Sequence, residues 1–143
     1  MYVRQKLPHG AQAPSVAREV VDSLLDARLS VEALSELRLV VSELVTNAVR
    51  HGEESDGVVE LFVTVGGGVA RVEVIDGGAG FEPPPGAPRP EEPGGWGLIV
   101  VDRLASRWGI EGSPRTRVWA ELPLDTFDTS GGAPTAPAYA RNV

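Results

Sequence analysis

The segment LRLVVSELVTNAVRHG, Leu37 to Gly52, decides the fold, because it reads as one amphipathic helix with a polar stripe along it. Leu37, Val40, Val41, Leu44, Val45 and Ala48 recur at spacings of three and four, the period that gives a helix one buried face. Glu36, Glu43, Asn47 and Arg50 follow one another at seven, four and three, and so share a different face. Glu43 and Asn47 lie one turn apart, where their side chains can converge on a single point beside the helix. A carboxylate and an amide oxygen there could hold a water, a hydroxyl or a hard cation. Polar residues on a helix are usually just solvated, but asparagine is a poor helix former in an interior. Position 47 therefore asks for a compensating role.

Composition bounds what that role can be. At 143 residues the chain is the size of one domain, large enough for a sheet, several helices and a single core. The net charge is −7 and the pI about 4.8, which leaves out the broad basic footprint of a nucleic-acid-binding protein. Cysteine is absent and the only histidines are His9 and His51, so thiolate and histidine-rich metal centres are excluded. Any metal should be oxygen-bound, most simply magnesium. The stretch MYVRQKLPHG lacks the apolar core of a signal peptide, and no run is long enough to cross a bilayer. The expected setting is cytoplasmic, with no membrane and no direct nucleic acid.

Outward from the opening helix, Tyr2 to Leu7 alternates weakly as a short edge strand, closed by Pro8 and Gly10. Pro14 and Ser15 open a helical pattern with Val16, Val20, Val21, Leu24, Leu25 and Leu29 as its stripe, expected to end near Arg28. Ser30 is the expected N-cap of the long helix, and Gly52 its stop. Val58 to Val65 and Val69 to Ile75 then read as an antiparallel hairpin joined at Gly66, Gly67 and Gly68.

Period two puts Asp76 on the core side with Val72 and Val74. An inward carboxylate needs a partner, because burying it alone is costly. DGGAGF follows, and Gly77, Gly78 and Gly80 permit close approach to a ligand, although Asp-Gly is also ordinary turn chemistry. The proline-rich segment 82–93 should be a loop, a lid or a passive linker. Gly94, Gly95 and Gly97 lead into a helix expected over Leu98 to Ser106, and a glycine-rich helix entry offers free N–H groups to phosphate oxygens. Trp108 to Glu111 and Arg117 to Leu122 read as a closing pair of strands, with Trp119 expected in the core. The first 124 residues thus form the domain, and residues 125–143 read as a flexible tail.

Three signals now stand in order: Glu43 with Asn47, Asp76 with Gly78 and Gly80, and Gly95 with Gly97. Together they resemble the N, G1 and G2 boxes of the gyrase, chaperone, histidine-kinase and mismatch-repair ATPase superfamily. Within it, ELVTNAVRHG, VEVIDGGAGF and GGWGLIVVDRLASRWG look like the bacterial anti-sigma-factor serine/threonine kinase family, a resemblance covering about Ser15 to Leu122. It implies an α/β (α+β) two-layer sandwich of the Bergerat type, with a mainly antiparallel sheet, helices on one face and ATP held between helix and lid. Asn47 would be the protein ligand of Mg²⁺, and Glu43 the general base acting on a serine or threonine hydroxyl. Asp76 would accept from the adenine amino group, Gly78 and Gly80 would let the base lie against the backbone, and Gly95, Gly97, Leu98 and Ile99 would cradle the phosphates. Thr116 falls where such proteins often carry a threonine near the adenine.

The resemblance implies an ATP-binding anti-sigma regulatory factor with Mg²⁺-dependent kinase activity, whose partners are an anti-anti-sigma protein and a sigma factor; members commonly form homodimers. The alternative is a regulator that binds ATP or a partner without transferring phosphate. The fragment of a sensor histidine kinase fits less well, since no helical pair bearing a phosphoacceptor histidine precedes the domain. Arg89 is the only basic residue of the proline segment, and Trp96 stands between two key glycines. These departures bear on phosphoryl transfer more than on binding.

Overall fold

Alternation in the strands and a 3.6-residue period in the helices resolve into a five-stranded antiparallel sheet with three helices on one face. The computed structural model describes residues 1–8, 10–23, 29–51, 58–76, 95–111 and 115–124. In chain order the elements are β1 (Tyr2–Pro8), α1 (Ala13–Asp22), α2 (Val31–His51), β2 (Val58–Gly66), β3 (Val69–Asp76), α3 (Gly95–Leu104), β4 (Arg107–Glu111) and β5 (Thr116–Pro123). The sheet order is β1-β2-β3-β5-β4 and every pairing is antiparallel. Among the described residues no helix is long and apolar enough to cross a membrane.

Local chemistry explains the boundaries. Ser30 caps α2 as its sequence position suggests: the N–H of Ala33 donates to Ser30 Oγ at 3.0 Å. Pro14 lies in the first turn of α1, where its missing N–H is no loss. Gly67 and Gly68 have φ of 61° and 77°, the left-handed pair that a two-residue hairpin loop with matching twist requires. Two helix boundaries differ from the sequence reading. α1 ends at Asp22 with Ser23 as its cap, ahead of Arg28, while Leu24 and Leu25 lie outside the described residues. α3 begins at Gly95 rather than Leu98, so both Gly95 and Gly97 are helical.

The core lies between α2 and the inner face of the sheet. Leu37, Val40, Val41, Leu44, Val45 and Ala48 are all buried, and they meet Val59, Leu61, Val63, Ala70, Val72, Val74, Val118, Ala120 and Leu122. α2 packs on β2, β3 and β5, flanked by α1 and α3, while α1 touches β1 and α3 touches β4. Burial on this scale stabilises each large side chain by about 1.5–3 kcal/mol.

The outer face of the sheet is charged and layered. Glu60 receives Arg4 at 3.0 Å and Arg115 at 3.6 Å, and Glu121 receives Arg71 and Arg107, each at 2.7 Å. Trp119 is on this face, not in the core as expected. It is half-buried, with the Arg71 guanidinium 4.5 Å from its ring centroid and that of Arg107 at 5.8 Å. Alternation requires this, since Val118 and Ala120 point inward. Gly109 pairs with Trp119 across the β4–β5 ladder, and a Cβ there would come within 2.9 Å of the indole Nε1.

Two outcomes follow from the outer face. Gly109→Ala is expected to destabilise the protein by about 1–3 kcal/mol in denaturant titration, and to have almost no effect once Trp119 is also alanine; an equal loss in both backgrounds would mean the indole is not what constrains position 109. The hydrogen bonds from Arg107 hold the Glu121 carboxyl below the usual glutamate range, against the opposing effect of burial and with help from Arg71. A lowered folded-state value means stability is complete above the unfolded pKa and is lost as pH falls toward the folded one. Glu121→Gln should therefore flatten the acid limb of the melting-temperature profile, and an unchanged limb would show that this pairing contributes nothing there.

Candidate functional site

Three polar side chains are carried into the buried layer by the elements that build it. Asn47 sits one turn after Leu44 on α2 and is 5% exposed; Asp76, the last residue of β3, and Thr116, the first of β5, are each 4% exposed. Asp76 and Thr116 face each other across the β3–β5 ladder, and Asp76 also faces Val59 on β2. Residues directly opposite in a ladder put their side chains on the same face of the sheet, so Val59, Asp76 and Thr116 form one inward row. The row lies at the end of the sheet that the 77–115 segment leaves and re-enters.

Two atoms of this set break a rule that the rest of the described core obeys. Asn47 Nδ2 and Thr116 Oγ1 are buried without a hydrogen-bond partner, and among the described residues they are the buried side-chain polar atoms in that condition. Leaving such a group unpaired costs roughly 1–3 kcal/mol, so an arrangement that does it twice in one layer is shaped for something other than stability. An amide supplies two donors and an acceptor oxygen, and a hydroxyl can donate or accept. Both suit a polar ligand that enters between α2 and the sheet. Asp76 is engaged within the protein.

Glu43 is one turn before Asn47 and half-buried, so a carboxylate stands beside the buried amide with partial access to solvent. On the neighbouring helix, α3 opens with Gly95, Trp96, Gly97 and Leu98. The N–H groups of a first helical turn lack acceptors within the helix and carry the positive end of its dipole. The helix starts three residues earlier than the sequence suggests, so its first turn begins at Gly95. Leu98 itself is buried, with its side chain 5% exposed. Gly78 and Gly80 lie outside the described residues. Among the described residues no group of three or more His, Cys, Asp or Glu could hold a metal; the Asn47 amide oxygen is a hard donor of the kind Mg²⁺ accepts.

Of the residues singled out in the sequence, Asn47, Asp76 and Thr116 are thus each buried, Asp76 and Thr116 as ladder partners, with Glu43 half-buried one turn from Asn47, and Gly95, Gly97 and Leu98 lie on α3, the helix that packs beside α2. The strand reading that began at Arg117 left out Thr116, yet the inward series Thr116, Val118, Ala120, Leu122 was available from the period. No sequence pattern signals that two of these groups lack partners.

The family model described as the histidine kinase-like ATPase domain matches residues 8–121. An anti-sigma F factor of Thermoanaerobacter sp. (strain X514) is 32% identical over 114 residues, 73% of this chain and 79% of the relative. That of Bacillus subtilis (strain 168) is 33% identical over 115 residues, 73% and 78%. Among solved structures, the RsbU and RsbW domains of a Mycobacterium tuberculosis protein superpose with a TM-score of 0.68 at 22% identity, over 87% of this chain and 32% of that one. The histidine kinase domain of a blue-light activated histidine kinase from Erythrobacter litoralis superposes with a TM-score of 0.55 at 28% identity, over 82% and 61%. This chain therefore spans about a third of the first of these structures and three fifths of the second.

Replacing an unsatisfied buried hydroxyl with an isosteric methyl removes its desolvation penalty. Thr116→Val is accordingly expected to raise the unfolding free energy of the ligand-free protein by about 1 kcal/mol, measured in denaturant. A clear loss of stability would mean the hydroxyl is satisfied in the fold.

Proposed function

The chain belongs to the histidine kinase-like ATPase domain family, with anti-sigma factors as its relatives, and on that premise we propose that it is an ATP-binding anti-sigma regulatory factor that phosphorylates a serine or threonine of an anti-anti-sigma partner. The observation that carries the reading is the pair of partnerless polar atoms, Asn47 Nδ2 and Thr116 Oγ1, in the layer that also buries Asp76. A nucleotide has a group for each of them. Its adenine amino group is a donor suited to the Asp76 carboxylate, its ring nitrogens are acceptors within the capacity of the Thr116 hydroxyl, and its phosphates bring oxygens and a divalent cation to an amide.

ATP with Mg²⁺, when bound, would supply the transferable phosphoryl group and the countercharge that makes its transfer feasible. The chain's own residues do the rest. Asn47 would hold the cation through Oδ1, the end of the amide that a half-turn about its last torsion exchanges with Nδ2. Gly95, Gly97 and Leu98 would present first-turn N–H groups of α3 to phosphate oxygens, with Gly78 and Gly80 letting the purine lie close to the backbone. Glu43, half-exposed beside the amide, would accept the proton of the attacking hydroxyl, a role that needs both access to the partner and proximity to the phosphate. A sigma factor would be the other partner of such a regulator, and pairing with a second copy is compatible with this role.

Two measurements test separate parts of this. Calorimetry with ATP and Mg²⁺ on Asp76→Asn is expected to show nucleotide affinity reduced at least about tenfold, since one acceptor becomes a donor facing the adenine amino group; retained affinity would remove Asp76 from the site. Incubation with radiolabelled ATP and candidate anti-anti-sigma proteins should label a partner with the wild type and not with Glu43→Ala, while that variant still binds ATP. No label on any partner with the wild type would favour a regulator that acts by binding alone.

A further inference from the structure

The outer face of the sheet is built to present guanidinium groups. Its described charges are Arg4, Lys6, Arg71, Arg107, Arg115 and Arg117 against Glu60, Glu73, Glu111 and Glu121, so cations exceed carboxylates on this one surface of a chain whose net charge is −7. The two signs are also at different heights. Glu60, Glu73 and Glu121 are 12–24% exposed, while the arginines paired with them are 35–64% exposed; only Glu111, on the edge, is as open as the arginines. The carboxylates form a lower layer, and guanidinium groups lie over it.

That layer also fixes the arginines. Glu121 accepts from Arg71 Nη1 and from Arg107 Nε and Nη2, Glu73 accepts from Arg71 Nη2, and the indole of Trp119 lies under both guanidiniums. An arginine held this way has already lost much of its rotamer freedom, so less is lost when it pairs with a further acceptor. Among the described residues Arg107 donates through Nε and Nη2, which leaves Nη1 for such an acceptor. Arg and Trp are moreover the residue types that dominate protein interfaces.

We propose that this arginine-capped face of β3, β4 and β5 is a docking surface for a partner protein that presents a bounded cluster of Asp and Glu side chains. Charge complementarity identifies the occupant. A long, uniformly negative nucleic acid placed on this face would extend over the acidic remainder of the chain and be repelled, whereas a compact acidic patch meets only the guanidiniums. The proposal is independent of the nucleotide layer, which opens from the opposite face of the same strands.

The probe is a fluorescently labelled deca-glutamate peptide, titrated with the full chain at low salt and followed by anisotropy. Binding is expected, weakened at least about tenfold in the triple variant Arg107→Gln, Arg115→Gln, Arg117→Gln and by about twofold to fivefold in each single variant, while Arg38→Gln on α2, itself about half exposed, changes nothing. The single variants keep the test decisive if the triple variant does not fold. Equal affinity across the three single variants and the wild type would overturn the proposal. So would duplex DNA of matched charge binding as tightly through the same arginines, or sedimentation showing that the face is covered by a second copy of the chain and that the three substitutions abolish that pairing.

Discussion

A single helix has to fill the core and carry a buried amide, and this double duty constrains everything around α2. Its buried residues Leu37, Val40, Val41, Leu44 and Val45 anchor it on β2, β3 and β5. That anchoring carries Asn47, one turn beyond Leu44, into the buried layer, where its Nδ2 has no hydrogen-bond partner among the described residues. Burial of an unsatisfied amide donor is tolerated because the surrounding buried apolar side chains are many and together worth more than the penalty.

The sheet complements this by separating two environments with one thickness of backbone. On the inner side, Val59, Asp76 and Thr116 form a polar-ended row above the apolar rows of Leu61, Val74 and Val118 and of Val63, Val72 and Ala120. On the outer side the same strands carry Glu60, Arg71, Glu73, Arg117, Trp119 and Glu121 in ion pairs and stacked contacts. Antiparallel pairing allows one solvated face of this kind, since no crossover helix is needed to cover it. The inner face is therefore free to be specialised for a ligand without any compromise in how the outer face meets water.

Much of this was legible in the residues. The stripe of α2, the hairpin at Gly67 and Gly68, the cap at Ser30 and the inward turn of Asp76 each follow from a local rule, and each is found in the structure. The start of α3 was not, because glycine carries little helix propensity and the glycine-rich stretch therefore reads as the approach to a helix beginning at Leu98, whereas α3 begins at Gly95. Trp119 was misplaced for a different reason: its size suggests a core residue, but its parity in β5 outranks size, and the bare Cα of Gly109 together with two guanidiniums gives the indole a shelter on the outer face. The candidate site residues were legible as residue types in order, and the burial of Asn47, Asp76 and Thr116 is what the structure adds. The absence of partners for Asn47 and Thr116 is a property of three-dimensional packing and has no signature along the chain.

The pairing of Asp76 with Thr116 has one more implication. The chain departs from one rung of the ladder at position 76 and returns to the neighbouring place on that same rung at position 116, so positions 77–115 form an excursion whose two ends are clamped by the sheet. Closing a loop whose ends are already pinned costs free energy that grows only with the logarithm of its length. Changes of length between positions 76 and 95 are therefore expected to cost little folding free energy, because the paired rung and the hydrophobic layer beneath it stay as they are.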